Sequence, residues 1–326
     1  MRTRLIAFCL SLLALPACAV AEQPANETLR LVFVGDVLLA GQAGRIMQRQ
    51  GTAYPLAKVS SILRGADVAF CNLECALTGK RVTSNSNVRQ GKRKLFIFKT
   101  PAKLGQALVD GGIDVVSLAN NHAMNGGQAG LLETMRALDR LSVVFTGAGR
   151  NLKQARSSRA LKAKGYTIAF LAYTDVGGPG ATKRDPGLAL LRTGLPTVLK
   201  EIKAARRRAD VVVVSYHWGV ERRTKPSARQ QAIARQSIDA GADLVIGHHP
   251  HVLQPVMVYK GKTIAYSLGN FVFDSPRPIS CRTAILQVEI DADGKQKIEQ
   301  IPCRIKNAQP NPMPAGQTQA SGGTRK

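Results

Sequence analysis

The sequence predicts an α/β layered fold, and three observations carry that reading. Short β-branched runs recur along the chain, segments with helical spacing separate them, and the runs are apolar without clean alternation, as strands covered on both faces are. In chain order the strand-like runs are 29–34, 68–72, 115–118, 166–173, 211–215, 244–246 and 262–268, several of them ending in a glycine or a polar cluster. Helix-like stretches fall at 102–111, 127–141, 196–208 and 227–240. Two further strands, 283–290 and 296–301, flank Asp291-Ala292-Asp293-Gly294, whose Asp-Gly ending is a hairpin signal. Pairing outward from that turn brings Cys281 nearly opposite Cys303, which predicts a cross-strand disulfide, with two buried thiols as the alternative. From residue 307 onward Gln, Pro, Gly, Ser and Ala leave little to bury, so 307–326 reads as a disordered tail.

The first 21 residues read as an export signal. Arg2 and Arg4 precede an apolar run over 5–15 that is too short to span a bilayer, and Ala19-Val20-Ala21 fits a cleavage site. The mature chain is therefore expected in the periplasm or outside the cell, with lipid anchoring at Cys18 as the alternative. Residues 22–28 form a linker and 29–306 one domain, long enough to bury a single large core. Of the remaining cysteines, Cys71 and Cys75 lie too near the site motifs described below for their pairing to be read.

The chain carries a net charge of +25, which falls to +23 when Arg2 and Arg4 leave with the leader. That excess favours an acidic polymer, a phosphorylated substrate or the anionic membrane surface, and export argues against nucleic acid. Residues 200–208 read as an ordinary solvated helix face. Segment 80–99 differs: it holds Lys80, Arg81, Arg89, Lys92, Arg93, Lys94 and Lys99, and no acid occurs between Glu74 and Asp110. It reads as a basic loop beginning just after Glu74, with Arg89, Lys92, Arg93 and Lys94 as expected contacts to an anionic substrate.

All five histidines fall just past a strand-like run. Strand 211–215 is followed by Tyr216-His217-Trp218-Gly219, strand 244–246 by Gly247-His248-His249-Pro250-His251, and strand 115–118 by Asn120-Asn121-His122; strand 29–34 runs into Gly35-Asp36 and strand 68–72 into Leu73-Glu74. Ligands of open α/β sheets collect outside the carboxyl ends of strands. Five such ends deliver Asp36, Glu74, Asn121, His122, His217, His249 and His251 to one crevice. Oxygen and imidazole donors without thiolate suit Mn, Fe or Zn and argue against a structural cysteine site. Gly261-Lys262-Thr263 imitates the end of a phosphate loop, but Val256 stands where the leading glycine belongs, and there is no Gly-x-Ser-x-Gly.

Gly35-Asp36, Asn72-Leu73-Glu74, Asn120-Asn121-His122, His217-Trp218-Gly219 with Glu221, His249-Pro250-His251 and Ser267-Leu268-Gly269-Asn270-Phe271 together resemble the ordered motifs of the CapA family of poly-γ-glutamate capsule synthesis, over 30–274. That family is similar to calcineurin-like metallophosphatases. The resemblance implies a sandwich of two mixed β-sheets flanked by helices, here closed by the C-terminal hairpin. It also implies one or two divalent ions on Asp36, Glu74, Asn121, His217, His249 and His251, with His122 as general acid or charge stabiliser. Asn72, Asn120, His248, Glu221 and Asn270, in or beside the same motifs, are the expected substrate contacts. The chain departs from the metallophosphatase pattern at Leu38, where a histidine usually stands, and at Glu74, where an aspartate does.

Three functions follow as expectations. The first is a periplasmic factor in the synthesis or export of an anionic capsule or envelope polymer, working with the capsule machinery. The second is a metal-dependent phosphoesterase or other hydrolase, and the third a polyanion-binding scaffold without catalysis.

Overall fold

The computed structural model describes residues 27–79, 81–90, 93–274 and 277–314. The expected export segment with Cys18, most of the linker, Lys80, Lys92 and the end of the tail lie outside the described residues. Among those described, no helix is long and apolar enough to cross a membrane.

The chain opens with β1 (Leu29–Val37), α1 (Gly41–Gln50), α2 (Ser60–Arg64) and β2 (Val68–Leu73). A small three-stranded flap follows, made of β3 (Ala76–Leu77), β4 (Thr83–Gln90) and β5 (Arg93–Thr100). The segment expected as a basic loop is therefore largely a hairpin, with Arg89 opposite Lys94 and Gln90 opposite Arg93. Next come α3 (Gln106–Gly111), β6 (Val115–Ser117), α4 (Gly127–Arg140), β7 (Val144–Thr146), β8 (Ala148–Gly149), α5 (Leu152–Arg156), β9 (Arg159–Ala163), β10 (Tyr166–Thr174) and β11 (Gly187–Leu188). The C-terminal half holds α6 (Leu195–Arg206), β12 (Val211–His217), α7 (Ala228–Asp239), β13 (Leu244–His248), β14 (Val256–Tyr259), β15 (Lys262–Ala265), β16 (Asn270–Val272), β17 (Arg282–Ile290), β18 (Gln296–Lys306) and β19 (Gln309–Pro312). Ser227 begins α7 with a capping box: its hydroxyl accepts from the Gln230 amide while the Gln230 side chain accepts from the Ser227 N–H.

Two large mixed sheets result, in the orders β19-β18-β17-β1-β2-β6-β7, with β16 beside β1, and β14-β15-β13-β12-β10-β9. They pack face to face, as the sandwich expectation requires. The period of two along each strand explains why. Leu29, Leu31 and Phe33 of β1 and Val68 and Phe70 of β2 share one core with Ile168, Phe170, Val211, Val213, Leu244 and Ile246 of the second sheet. The Phe70 and Phe170 rings stack across the layer with centroids 5.9 Å apart and planes 5° from parallel. The alternate residues face outward under helices: Val32, Val34 and Ala69 toward one helical layer, and Leu171, Val212, Val214 and Val245 toward α6 and α7. Because both faces are covered, the strand sequences read as unbroken apolar runs.

Two expectations fail at the C-terminal end. In the hairpin Ile290 pairs with Gln296, leaving a five-residue connection, 291–295. That shifts the register so that Cys303 opposes Thr283, while Cys281 closes the 3-10 turn Pro278–Cys281 before β17 begins. The expected Cys281–Cys303 disulfide is not formed. The tail, expected to be disordered from 307, instead turns back through Asn307 and Ala308, both with positive φ, and adds β19 to the sheet edge with Gln309 opposite Lys306. Ala308 and Gln309 are buried there, and the Gln309 side-chain amide donates to the carbonyl of Tyr54.

Candidate metal centre

Parallel pairing sets the site. Asp36 lies opposite both Asn72 of β2 and Asn270 of β16, and His217 lies opposite His248, so the carboxyl ends of β1, β2, β12 and β13 and the first residue of β16 converge. Gly35 permits the approach of the β16 segment, because a Cβ at that position would sit 2.0 Å from the Gly269 carbonyl oxygen. That oxygen accepts the Asp36 N–H at 2.9 Å. Asn72 joins the sheets: its Nδ2 donates to Asp36 Oδ1 at 2.9 Å and lies 3.4 Å from His217 Nδ1. His249 and His251 have φ of 95° and 55°, a region that costs free energy for a residue with a side chain and is held where the surroundings demand it.

Glu74 is the centre of the arrangement. It is fully buried, and its Oε1 lies 3.7 Å from His217 Nε2, 3.8 Å from His251 Nε2 and 4.0 Å from His122 Nε2. Neither Glu74 oxygen has a hydrogen-bond partner, nor do Asp36 Oδ2, the His248 ring nitrogens or His249 Nδ1, all of them buried. Desolvated polar atoms left unsatisfied cost about 1–3 kcal/mol each, so such a concentration calls for something that answers them. Donors sharing a cation at about 2.1 Å lie roughly 3–4 Å from one another. Asp36, Glu74 and His251 offer ligand atoms all within 4.8 Å of one another. The donor set fits a divalent cation.

Charge separates within the cluster. Burial raises the Asp36 carboxyl, but His248 and His251 more than offset this and hold it well below its ordinary range. Burial, helped by the Asp36 charge, pushes Glu74 well above its own, with His251 opposing. Burial lowers His251, yet the Glu74 and Asp36 carboxylates lift it to about 10. Burial takes His122 and His249 down to about 4 and His217 well below its usual value, so these three imidazoles are neutral at pH 7.

The family model described as bacterial capsule synthesis protein PGA_cap matches residues 30–275. The chain belongs to this capsule synthesis family. It is 34% identical over 303 residues to the capsule biosynthesis protein CapA of Bacillus anthracis, covering 91% of this chain and 72% of that one. It is 35% identical over 291 residues to the PGA biosynthesis protein CapA of Bacillus subtilis, covering 88% and 74%. Among solved structures it resembles a hypothetical protein of Thermus thermophilus, with a TM-score of 0.51 at 18% identity over 85% of this chain and 100% of that one. It also resembles the NAD nucleotidase of Haemophilus influenzae, with a TM-score of 0.52 at 10% identity over 86% and 56%. These two likenesses show the fold. The CapA resemblance carried by the motifs holds.

In this capsule synthesis family member, the residues expected as ligands meet: Asp36, Glu74, His217 and His249 are buried, and His251 and Asn121 are half-buried beside them. Asn121 bridges two imidazoles, its Oδ1 2.7 Å from His217 Nε2 and its Nδ2 3.0 Å from His122 Nε2. Four expected substrate contacts are placed differently. Asn72, Asn120, His248 and Asn270 are at most 1% exposed, and the three asparagines spend their polar atoms on the site itself. Asn120 donates to Asn72 Oδ1 and to the Leu73 carbonyl and accepts from the His122 and Ala123 amides. Asn270 donates to the Ser280 carbonyl, and its Oδ1 lies 2.9 Å from His251 Nδ1. His248 puts Nδ1 3.4 Å from Asp36 Oδ1. The physical reason is their position inside the last strand turns, where side chains point into protein. Glu221 is exposed just past the end of β12. Leu38 is buried in the core beneath the helices of the first sheet.

Sequence reasoning missed Asn125, Phe98 and Phe273. Asn125 Oδ1 accepts the Phe98 N–H at 2.7 Å and lies 3.0 Å from His122 Nδ1, tying the flap to that imidazole. The Phe98 ring packs on His122 at 4.4 Å and Phe273 on His251 at 4.9 Å. The spacing of Asn125, three residues after His122, was a usable signal. Nothing in the sequence announces that a flap strand returns to the site.

Proposed function

We propose that this protein acts in the synthesis or export of an anionic capsule or envelope polymer such as poly-γ-glutamate, in the periplasm, through a divalent-metal site. The observation that carries the reading is the set of buried, unpartnered donors around Glu74 in a member of the capsule synthesis family. The names of the Bacillus relatives support the polymer, and the leader-like residues 1–21 support export.

Asp36, Glu74 and His251 would hold the ion, with His217, His249 and Asn121 completing its shell. Oxygen and neutral imidazole donors suit Mn, Fe or Zn, and one or two ions fit the set. When bound, such an ion acts as a Lewis acid toward an anionic group. His122 faces the Asn125 Oδ1 acceptor with Nδ1, so its proton sits there and Nε2 is left as an acceptor. In the resting site Nε2 accepts from the Asn121 Nδ2 group, so His122 holds no proton there to give and becomes a general acid only after taking one. The basic flap segment draws a polyanion in by long-range attraction that salt screens within about 8 Å.

Complementation tests this reading. A strain deleted for the gene and supplied with Asp36→Asn or His217→Ala should make or export markedly less anionic polymer than one supplied with the parent gene; full restoration by both variants would refute the metal-dependent role. The arrangement of His122 favours hydrolysis as a second reading. A metal-loaded preparation tested on phosphoesters and γ-glutamyl polymers should then show turnover that His122→Ala abolishes, and metal content without any turnover removes it, leaving polymer binding alone.

A further inference from the structure

A cavity of about 750 Å³ opens on the outer face of the second sheet, away from the core shared by the two sheets, with α5 and α6 among its walls. Leu171 of β10, part of the outer core of that sheet, contributes to its lining. Lys153, Lys183 and Arg208 also line it, and none of the three makes an ion pair among the described residues. The acid in its wall, Glu201, is already engaged: Arg156 Nε and Nη2 donate to its two oxygens at 2.7 and 3.0 Å, and the Tyr173 hydroxyl donates at 2.8 Å. The guanidinium also lies 5.5 Å from the Tyr173 ring centroid. That neutral pair leaves three unanswered cations around a concavity that also presents the Ser158 and Thr197 hydroxyls. Arg208 belongs to the stretch that the sequence presented as ordinary solvated surface.

Chain connectivity links this cavity to the metal centre. Lys183 sits on the 175–186 loop between β10 and β11. The same loop begins against the centre, where the Asp175 N–H donates to the His217 carbonyl at 2.9 Å and a Cβ on Gly177 would lie 3.0 Å from Asn121 Cβ. We propose that the cavity is a second, metal-independent anion site, which grips a polycarboxylate segment of the polymer at a distance from the metal centre. The proposal rests on the polymer reading above. Ammonium and guanidinium groups answer carboxylates, a pocket of this volume exceeds what a lone small anion fills, and cations focused in a concavity attract more strongly than the same charges on a flat face.

The test titrates the mature chain with a fluorescent synthetic oligo-γ-glutamate at low and at physiological ionic strength, reading anisotropy. The triple variant Lys153→Gln/Lys183→Gln/Arg208→Gln should bind about tenfold more weakly, the size expected for three exposed ion pairs, and with a shallower salt dependence. Asp36→Asn, or a chelator, should leave that component of binding unchanged. Equal affinity of the triple variant and the parent overturns the second site while the polymer reading stands. Absence of binding by the parent removes the polymer reading and the proposal with it. Displacement of the bound probe by tripolyphosphate at a lower concentration than by unlabelled oligo-γ-glutamate overturns the carboxylate assignment.

Discussion

Replacing Glu74 by glutamine should reverse the sign of its effect between the metal-free and metal-loaded protein. In the metal-free fold Glu74 is a fully buried carboxyl with both oxygens unpartnered beside Asp36, and burial holds its pKa well above the ordinary value. A raised carboxyl favours the fold below its ordinary pKa, near 4.5, and that contribution is lost as pH rises through the folded value. Glutamine keeps the shape and removes the charge. The metal-free variant should therefore be more stable than the parent by about 1–3 kcal/mol at pH 8, and by less at pH 5. In a domain of this size that is a rise of a few °C in Tm. With metal at about 100 times Kd the parent gains about 2.7 kcal/mol, and a variant bound about a hundredfold more weakly retains roughly 0.4 of it. Differential scanning calorimetry with and without Mn or Zn reads both effects. A variant less stable than the parent in both states, or one with an undiminished metal-induced shift, would show that Glu74 is a packing residue.

Metal uptake at pH 7 should release at least one proton, because His251, lifted to about 10, holds a proton that a ligand must shed. Affinity should rise with pH accordingly, and titration calorimetry in two buffers of different ionisation enthalpy counts the protons; a count of zero contradicts the ligand set. Gly35→Ala forces a methyl to 2.0 Å from the Gly269 oxygen, so β16 must move from β1 and take Asn270 with it. Urea unfolding should show a loss of about 2–4 kcal/mol, and metal affinity should fall as well. Asn125→Leu leaves the Phe98 N–H without its acceptor, at about 1–3 kcal/mol of local stability, and hydrogen exchange at that amide should speed up by tenfold or more while the β12 amides hold their rates.

The contrast between what was legible and what was not follows the range of the interactions. The runs 211–215 and 244–246 announced buried strands because both of their faces are apolar, and the structure extends them only by the polar residues that close each strand, to His217 and His248. Asp36, Glu74 and the histidines could be singled out because each follows such a run within a few residues. The flap was read as a loop because alternation fails in 83–90, a strand made largely of Ser, Asn, Thr and Arg. The Cys281–Cys303 pairing failed because hairpin register depends on loop geometry, and a connection of five residues and one of four look alike in composition.

Sequence alone determined the layered α/β class, the sites of the strand ends and the side-chain chemistry collected there, since hydrophobic period and residue type are local properties. Tertiary structure alone decided which of those side chains face the centre and which brace it from behind. It also brought Phe98 and Asn125 to His122 and turned Lys153, Lys183 and Arg208 into one cavity. Each of those outcomes depends on the angle at which one strand or helix meets another far away in the chain, and no stretch of neighbouring residues encodes that angle.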